Sequence, residues 1–402
     1  MTYLSGIRIL DASHVIAGPF ATYQLALMGA EVIRVERIEA NDFVRKHGGT
    51  DAMREAGLGA SFVSQNAGKR CIKIDLKAPE GAALFKKLAA ECDVVMENFR
   101  PGVMDRLGLG YDDIHTVKPD IVYCSLTGYG SVGPLAPAPA YDHIVQGMSG
   151  MMSMTGTPES GPLRVGLPIT DYVAGMQATS AILAALFRRS ATGDGAHIEV
   201  SMLASVLSTL GAYAVDYQAA GRQRGLEGNR PFSASPFAGC FPTGDGDLVI
   251  TANTPEQAER LIAELDCPDM APLIDLMRSG TRATEEQFAS AEKSIAEALA
   301  ADTAINWERR LGAISVPAGK VRNLAEVLDH PQVAALGCLD TVPVPTGEGP
   351  FHVPGLAFRE AEGGSRELPM PEPAGQSTRE ILEAAGLKAD EIDALYASGA
   401  IA

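Results

Sequence analysis

The loop after the first strand-like run is the first place to look for chemistry in this chain. Its residues 13–19 read SHVIAGP, with one glycine where a dinucleotide-binding loop needs three. Glu36 ends the second strand-like run, where such folds hold a ribose hydroxyl, but one acid at this place is weak support. The pattern therefore argues against a nicotinamide or flavin site.

Hydrolytic and metal-dependent chemistry also find little support. The chain contains no Gly-x-Ser-x-Gly sequence, so the strained serine turn of a hydrolase is not indicated. Its seven histidines lack metal-like pairing, and none of its six cysteines forms a Cys-x-x-Cys pair. His143, beside Asp142, and His197, on a strand-like run, are expected to be structural. We expect no metal site.

Asp171 stands directly before an apolar stretch that has the character of a helix, residues 172–189. Aspartate is among the best N-cap residues, because its side chain accepts hydrogen bonds from amides of the first helical turn. From this pattern alone, the sequence favours a capping role for Asp171. Spacing alone does not make this residue a nucleophile.

Alternating strands and helices must position these residues. The predicted strands of the first half are residues 7–11, 31–36, 93–97 and 121–126, and the predicted helices are 20–28, 80–91, 172–189 and 202–220. This rhythm predicts an α/β fold with a Rossmann-like parallel sheet, in which ligands bind beyond the carboxyl ends of the strands. The loops to watch are residues 14–19, 37–45, 98–106 and 127–134.

A segment rich in Gly, Pro and Ser, residues 221–244, is predicted to be a linker or mobile loop. A second, smaller α/β domain is predicted beyond it. Its predicted elements are a strand at 248–252 and helices at 255–265, 285–300 and 304–311. The expected division is a large domain (1–200), a linker helix and loop (201–228), a small domain (229–325), and a C-terminal linker that returns to the large domain (326–402). The returning part has strand-like sequence at 338–358 and helices at 377–385 and from residue 389.

The composition limits the classes of ligand that the chain is expected to bind. The chain has 402 residues and a formal charge of −17, which argues against nucleic-acid binding through a general basic face. A polyanionic ligand would need a local cationic pocket. No uncharged apolar run reaches the length that crosses a membrane. Several cysteines lie in apolar runs, as expected of buried thiols in a reducing compartment. We expect a cytoplasmic protein.

A series of ordered sequence blocks resembles one family nearly end to end. The blocks are LSGIRILD (4–11), AGP (17–19), GAEVIRVE (29–36), NAGKR (66–70), DLK (75–77), ENFRPG (97–102), GYG (128–130), VPAG (316–319) and DHPQV (329–333). They resemble the class III CoA-transferases, the group of formyl-CoA transferase and the CaiB/BaiF proteins. The resemblance implies an enzyme whose nucleophile corresponds to Asp171. Its carboxyl group is expected to be ionised at neutral pH, since free aspartate has a pKa of about 3.9. The carboxylate would attack an acyl-CoA thioester and pass through an aspartyl mixed anhydride and an aspartyl-CoA thioester.

The resemblance also implies a site for coenzyme A, which acts as a substrate and not as a permanently bound cofactor. By position in the matching blocks, His14, Val15 and Ala17 would line the pantetheine arm. Arg37, Ile74 and Lys77 would contact the nucleotide end. The remaining implied contacts are Asn98, Phe99, Arg106 and Tyr141, the last near the thioester. Arginine and lysine suit phosphate groups in an otherwise acidic protein.

The sequence indicates less about which acids exchange coenzyme A. Ile16 stands where formyl-CoA transferase has a glutamine that contacts its small acid, which argues against formyl and oxalyl substrates. Arg45, Arg164 or Arg230 could bind a second carboxylate, so a dicarboxylate such as succinate, malate or mesaconate is a reasonable hypothesis. Transfer within one molecule is also open.

Two alternatives remain at this point. The α-methylacyl-CoA racemases share the fold, but they need a His directly before the Asp of the block at 141–142, where this chain has Tyr141. Tyrosine is a poor base at neutral pH, since its free pKa is about 10. A non-catalytic CoA-binding protein is the other alternative. The resemblance further implies an interlocked homodimer of two rings threaded through each other.

Overall fold

The computed structural model describes residues 3–38, 42–231, 233–343, 350–358 and 366–402. They divide into two compact units. The first comprises Met1–Met154, Leu163–Arg224 and Pro331–Ala402, and the second comprises Thr155–Pro162 and Gly225–His330. The expected small domain, residues 229–325, lies within the second unit, which also takes up a short hairpin from the middle of the chain. The helical part of the expected linker belongs to the first unit.

Strands and helices alternate along the chain. The strands are β1 (Arg8–Asp11), β2 (Glu31–Glu36), β3 (Arg70–Lys73), β4 (Val94–Glu97), β5 (Val122–Thr127), β6 (Gly156–Thr157), β7 (Gly161–Pro162), β8 (Ala196–Ser201), β9 (Ala238–Pro242), β10 (Asp247–Thr251), β11 (Ala318–Lys320), β12 (Leu339–Val342) and β13 (Phe351–Pro354).

The helices fall into a first group before the long central helix and a second group after it. The first group is α1 (Ala17–Leu27), α2 (Asp51–Glu55), α3 (Ala60–Asn66), α4 (Pro79–Ala90), α5 (Val103–Arg106), α6 (Tyr111–Val117), α7 (Asp142–Met148) and the long helix α8 (Ile169–Thr192). The second group is α9 (Met202–Thr209), α10 (Gly211–Ala220), α11 (Pro255–Glu264), α12 (Ala271–Ser279), α13 (Glu285–Leu299), α14 (Ala304–Ala313), α15 (Leu324–Leu328), α16 (Pro331–Leu336), α17 (Thr378–Ala384) and α18 (Ala389–Ser398).

A six-stranded sheet forms the centre of the first unit. Its strand order is β3-β2-β1-β4-β5-β8, and every pair of neighbours is parallel. This order reverses direction between β1 and β4, as in doubly wound folds. The prediction of an α/β fold built on a parallel sheet with helices is therefore confirmed.

The strand sequences are apolar on both sides because helices cover both faces of the sheet. Ile9 and Val94 belong to one buried cluster, together with apolar residues of α1 and α8. Their neighbours Leu10 and Val95 belong to a second cluster, with residues of α4 and α17. Alternate residues of a strand thus supply two separate cores, as the two-residue period of a strand requires.

Helix α8 packs closely against α1, and Gly175 makes this approach possible. A Cβ atom at Gly175 would lie 2.7 Å from the Ala17 carbonyl oxygen and 2.8 Å from the Phe20 ring. No side chain fits in that space, so the two helices contact each other through backbone. The N-terminal ends of α1 and α8 are consequently held side by side.

The second unit has a separate core. Its antiparallel sheet, in the order β11-β10-β9, packs against helices through residues such as Leu248, Ile250 and Trp307. Capping boxes begin α11 at Thr254 and α13 at Thr284, where the threonine hydroxyl accepts the amide hydrogen bond of the third helical residue. The unit thus combines a small antiparallel sheet with packed helices.

Two local predictions are wrong. The predicted helix 202–220 is two helices, because α9 ends at Thr209 and α10 begins at Gly211. Glycine at the junction lowers helix propensity there. The segment 221–244 is not wholly a loop, since it contains β9, whose apolar residues Ala238 and Phe241 are buried. The strand-like prediction at 338–358 corresponds to β12 and β13, and its residues 344–349 lie outside the described residues.

Three further properties concern the described part of the chain. All six cysteines are free thiols. No helix among the described residues is long and apolar enough to cross a membrane. The described residues include no group of three or more His, Cys, Asp or Glu side chains that could hold a metal ion.

Candidate functional site

The loops at the carboxyl edge of the six-stranded sheet enclose a cavity of about 570 Å³. The four loops singled out in the sequence all contribute to its lining, together with Asp171 of α8 and Met202 of α9. A second cavity of about 270 Å³ shares five of these lining residues, namely His14, Val15, Arg37, Phe99 and Tyr141. The two cavities therefore adjoin, and a long ligand could extend from one into the other.

The structure brings most of the predicted site residues together. Those that line the larger cavity are His14, Val15, Ile16, Ala17, Arg37, Asn98, Phe99, Tyr141 and Asp171. Ile74 is fully buried and lines the smaller cavity. Lys77 and Arg106 are exposed and line neither cavity. Leu76, directly before Lys77, lines the smaller cavity, and Val103, in the same short helix as Arg106, lines the larger one.

The three arginines considered for a second carboxylate lie elsewhere. Arg45 is 1% exposed, and Glu36, Cys71 and the carbonyl groups of Gly57 and Glu372 accept hydrogen bonds from its guanidinium group. An arginine has five N–H donors, and these contacts occupy them all. Arg45 is therefore a structural residue here, and the expectation that it binds substrate does not fit the geometry.

Arg164 and Arg230 are placed differently. Arg164 is exposed, donates to the Val165 carbonyl group at 3.0 Å and lines neither cavity. Arg230 belongs to the second unit, where it forms an ion pair with Glu285 at 2.6 Å. Of the three, only Arg164 lies in the same unit as the cavity and retains an exposed side chain.

Asn98 holds the loop after β1 in place. Its side-chain oxygen accepts a hydrogen bond from the His14 amide at 2.9 Å, and its side-chain amide donates to the His14 carbonyl at 2.8 Å. The His14 ring lies 5.3 Å from the ring of Phe99, and burial lowers the pKa of the His14 imidazole. Asn98 thus connects the loop after β4 to the loop after β1, and both loops line the cavity.

Val15 has an unusual backbone conformation. Its φ of 69° lies in the left-handed region, which is unfavourable for a β-branched residue and costs on the order of 1–3 kcal/mol. Two contacts enforce it: the Val15 amide donates to Asp42 at 2.7 Å, and the Gln65 side chain donates to the Val15 carbonyl at 3.0 Å. The strain turns the chain sharply into α1 at the cavity wall.

A network of buried charged side chains stabilises this turn. Arg34 is 1% exposed and forms ion pairs with Glu36 and Asp42, each at 2.8 Å. Burial opposes ionisation of Glu36, but Arg34 and Arg45 outweigh it and hold the pKa of this carboxyl group below its usual value. The network keeps Asp42 oriented towards the Val15 amide.

Asp171 is the third residue of α8, and the prediction that it caps this helix is wrong. The N-cap position is Pro168, and no side chain of the N-cap residue bonds to the first turn. The helix begins at Ile169, earlier than the apolar pattern indicates. The Asp171 carboxylate is therefore free of a capping role, and it lines the larger cavity.

Another acid stabilises the beginning of α8 instead. Asp142, at the start of α7, accepts hydrogen bonds from the amide and the hydroxyl group of Thr170, both at 2.8 Å. Its second carboxylate oxygen accepts a hydrogen bond from Gln146 at 2.7 Å. A carboxylate at a helix N-terminus is favoured by the helix dipole. Asp142 thereby fixes the backbone directly before Asp171.

Burial raises the pKa of Asp171 to about 7, and the nearby charge of Asp142 contributes to the rise. The expectation that Asp171 is fully ionised at neutral pH therefore needs correction, since a substantial fraction is protonated at pH 7. Desolvation removes hydrogen-bonding water from the carboxylate, so the ionised form is a stronger nucleophile than a hydrated one.

Several residues with clear roles were not predicted. Asp142, Asp42 and Gln65 act on backbone far away in sequence, so no local pattern reveals them. Arg100 and Tyr129 line the larger cavity. These two lie within the quoted ENFRPG and GYG blocks, and the position of those blocks directly after β4 and β5 was a signal that could have identified them.

An open cavity at the carboxyl edge of a parallel sheet, with a partly buried acid and two arginines in its walls, is typical of an enzyme site for an anionic ligand. Residues 4–378 match the profile described as CoA-transferase family III. The chain is 37% identical to succinyl-CoA:glutarate CoA-transferase of Mus musculus over 404 residues, which covers 100% of this chain and 91% of that protein. The chain belongs to CoA-transferase family III and is a CoA-transferase.

Two further comparisons support the assignment. Acetyl-CoA:oxalate CoA-transferase of Acetobacter aceti is 35% identical over 335 residues, with 83% of this chain and 84% of that protein covered. Among solved structures, a CaiB/BaiF family protein from Brucella suis superposes with a TM-score of 0.81 at 29% identity, with 96% of this chain and 99% of that chain covered. The resemblance read from the sequence blocks is confirmed.

Proposed function

We propose that Asp171 is the nucleophile of a covalent CoA transfer in the larger cavity. The observation that carries this proposal is the position of its partly buried carboxyl group in the cavity lining, beside residues 14–17 and Tyr141. No other Asp or Glu side chain lines this cavity among the described residues. The reaction needs a carboxylate, and the cavity offers one.

The proposed reaction begins with attack on the donor. A carboxylate oxygen of Asp171 attacks the thioester carbonyl carbon, the C–S bond breaks, and coenzyme A leaves as a thiolate. The product is a mixed anhydride. The thiolate then attacks the Asp171 carbonyl carbon of this anhydride, the C–O bond breaks, and the donor acid leaves as a carboxylate. Coenzyme A is now held as an aspartyl thioester.

The second half reverses these steps with the acceptor. The acceptor carboxylate attacks the aspartyl thioester and releases the thiolate, which then attacks the acceptor carbonyl carbon of the new anhydride. Acceptor acyl-CoA leaves, and the Asp171 carboxylate is regenerated. In each of the four acyl transfers, a carboxylate displaces a thiolate or a thiolate displaces a carboxylate. Acyl transfers of this kind need no resident cofactor. Coenzyme A serves as substrate.

The surroundings of Asp171 suit this chemistry. The α1 N-terminus lies at the cavity, where Ile16 and Ala17 are lining residues, and first-turn amides favour a negative charge. Close packing at Gly175 keeps this helix end next to α8. We infer that amides of this turn stabilise the oxyanions of the tetrahedral intermediates.

Mass spectrometry tests the covalent step. The enzyme is incubated with succinyl-CoA and analysed as intact protein and as peptides. We expect a CoA or acyl adduct on the peptide that carries Asp171, and no adduct in Asp171→Ala. Asp194→Asn is the matched control, because Asp194 is an exposed acid just after the same helix. Normal turnover by Asp171→Ala would refute the role of this residue.

Two further assays on the same enzyme preparation separate the alternatives. A racemase would exchange the α-proton of a 2-methylacyl-CoA with solvent deuterium and leave the acyl group on its coenzyme A. A non-catalytic protein would bind coenzyme A without turnover. Tyr141, which lines the cavity in place of the histidine that a racemase needs, supports transfer over racemisation.

We further propose that the acceptor is a dicarboxylate. The mouse relative is described as acting on succinyl-CoA and glutarate. Within the cavity lining, Arg37 and Arg100 are cationic, and Arg164 is an exposed cation of the same unit. An acceptor panel of glutarate, malate, mesaconate, oxalate and matched monocarboxylates tests this proposal. Activity restricted to monocarboxylates would exclude it.

The active form is proposed to be an interlocked homodimer. Helix α10 has no buried residue, and Val215 and Tyr217 on it are 64% and 59% exposed. Phe187 on α8 is 79% exposed. These exposed apolar side chains support the proposal that another chain covers this part of the surface. A cytoplasmic location is part of the same proposal, and six free thiols support a reducing compartment.

Two measurements test the assembly. Light scattering coupled to gel filtration should give twice the mass of one chain. Mixed tagged and untagged preparations should not exchange subunits under native conditions, but should do so after unfolding and refolding, because threaded rings cannot separate while folded. A monomeric mass, or rapid native exchange, would contradict the interlocked dimer.

A further inference from the structure

A small cavity of about 80 Å³ lies beside the larger cavity and shares Arg100, Pro101 and Thr127 with it. Glu97, the last residue of β4, contributes a carboxyl group to this small cavity and is only 5% exposed. The proposed transfer reaction makes no use of this acid. A buried carboxyl group next to a substrate cavity requires a physical explanation.

The contacts of Glu97 connect it to the wall of the larger cavity. Its carboxylate accepts a hydrogen bond from the Phe99 amide at 2.7 Å. Between these two residues lies Asn98, whose side chain forms two hydrogen bonds with the His14 backbone. The Phe99 ring contacts the His14 ring and lies 5.5 Å from the guanidinium group of Arg37. One hydrogen bond to Glu97 thus orients a segment that lines both adjoining cavities.

The groups facing Glu97 come from every element around it. Ser125 of β5 lies opposite Glu97 in the sheet register, and its hydroxyl group lies 3.5 Å from Nε2 of His197. Tyr123 lies on the same strand. The other titratable or charged groups around the small cavity are Arg100 of the loop, Asp105 of α5, Tyr111 of α6, and His197 and Glu199 of β8. Among the described residues, no Lys, Arg or His forms an ion pair with Glu97.

Burial raises the pKa of Glu97 to about 7, although the Ser125 hydroxyl group and the Phe99 amide lower it, and Asp105 adds a smaller rise. The acid therefore changes charge near neutral pH. Ionisation places a negative charge in the small cavity that adjoins the larger cavity, which is proposed for a ligand with several phosphates. Like charges in a region of low dielectric repel each other more strongly than in water.

We propose that Glu97 is a positioning residue of the CoA-binding wall, and that its charge state sets how tightly this wall holds coenzyme A. In the neutral form Glu97 keeps its hydrogen bond from Phe99 and adds no charge, so coenzyme A binds more tightly. In the ionised form the wall keeps its shape but repels the phosphates. Binding of coenzyme A is then linked to uptake of a proton by Glu97.

The inference rests on the proposed placement of coenzyme A, and the test is designed so that the two can fail separately. Asp171→Asn is the background, because it removes the other carboxyl group that titrates in this range and prevents turnover. Dissociation constants for coenzyme A are measured by calorimetry from pH 6 to pH 8.5, with and without Glu97→Gln. The ratio of the two constants cancels the titration of the ligand phosphates and of His14.

We expect coenzyme A to bind the two proteins about equally at pH 6, and Glu97→Gln to bind roughly three- to tenfold more tightly at pH 8.5. Glu199→Gln is the matched control, since Glu199 lines the same small cavity but is exposed. The ratio of the dissociation constants measured with and without Glu199→Gln should not change with pH. A constant ratio for Glu97→Gln would overturn the inference, while CoA transfer by the native enzyme would still stand.

Two further measurements cover the case in which Glu97→Gln does not fold. Ser125→Ala removes a hydroxyl group that favours the ionised acid, so the pH dependence of binding should shift to higher pH. Calorimetry at pH 7 in buffers of different ionisation enthalpy should show greater proton uptake than the ligand alone explains. No shift and no uptake would overturn the inference. Absence of any CoA binding would overturn both it and the proposed cavity.

Discussion

The Asp142 carboxylate accepts hydrogen bonds from both the amide and the hydroxyl group of Thr170, the residue directly before Asp171. One acid therefore fixes the helix turn that carries the other. The same proximity makes Asp142 a source of negative potential, which contributes to the raised pKa of Asp171. Asp142 thus influences both the position of the proposed nucleophile and, together with the larger effect of burial, its pKa.

Asp142→Asn should separate these two effects. An asparagine oxygen can still accept the Thr170 amide, but its negative charge is gone, so the pKa of Asp171 should fall. The acid limb of kcat/KM against pH should move to lower pH, with α8 still in place. Asp142→Ala also removes the acceptor, and a buried unsatisfied amide costs about 1–3 kcal/mol of stability. An unchanged acid limb in Asp142→Asn would show that Asp142 does not influence the nucleophile.

The ionisation of Asp171 predicts opposite pH effects on activity and on stability. Activity should rise as the pH passes through about 7, because the carboxylate is the reactive form. The folded-state pKa lies above the usual value of 3.8, so between these two values the folded protein binds more protons than the unfolded chain. The free energy of unfolding therefore decreases with rising pH across this range.

Asp171→Asn removes the cost of the buried charge and should be more stable than the native protein at pH 8.5, with a Tm roughly 1–3 °C higher. At pH 4 the difference should disappear, because the acid is then neutral in the folded state. Asp194→Asn, an exposed acid, should show no such pH-dependent gain. Calorimetric scans at the two pH values measure both comparisons, and equal differences at pH 4 and pH 8.5 would contradict a raised pKa.

The sequence predicted the parts of this structure that depend on local pattern. The alternation of apolar strands and helices gave the parallel sheet, and the ordered blocks gave the family. Asp171 was misplaced as a helix cap because the residues before it, Pro168 and Ile169, do not resemble a helix start. Arg45 was assigned to substrate because its partner Glu36 is nine residues away in sequence and meets it only in the folded chain.

Gly175→Ala should damage both fold and activity. The added methyl group would lie 2.7 Å from the Ala17 carbonyl oxygen, so α8 must move away from α1, at a cost of about 1–3 kcal/mol. Since α8 carries Asp171, kcat should fall more than KM rises. Gly147→Ala is the matched control on α7, where the nearest atom would be 3.7 Å away, and it should be neutral or slightly stabilising. Equal effects of the two variants would argue against the packing role of Gly175.

The strained turn at Val15 gives the last prediction. Asp42→Ala removes the acceptor of the Val15 amide and one partner of the buried Arg34, so the turn should relax towards negative φ. We expect KM for acyl-CoA to rise roughly tenfold, with a smaller change in kcat, because the turn shapes the cavity wall and does not touch the reacting bond. Asp42→Asn keeps an acceptor for the amide but loses the charge. If KM depends on the turn, Asp42→Asn should retain most of the affinity while both variants lose stability through Arg34. A similar rise of KM in both would assign the effect to the ion pair instead.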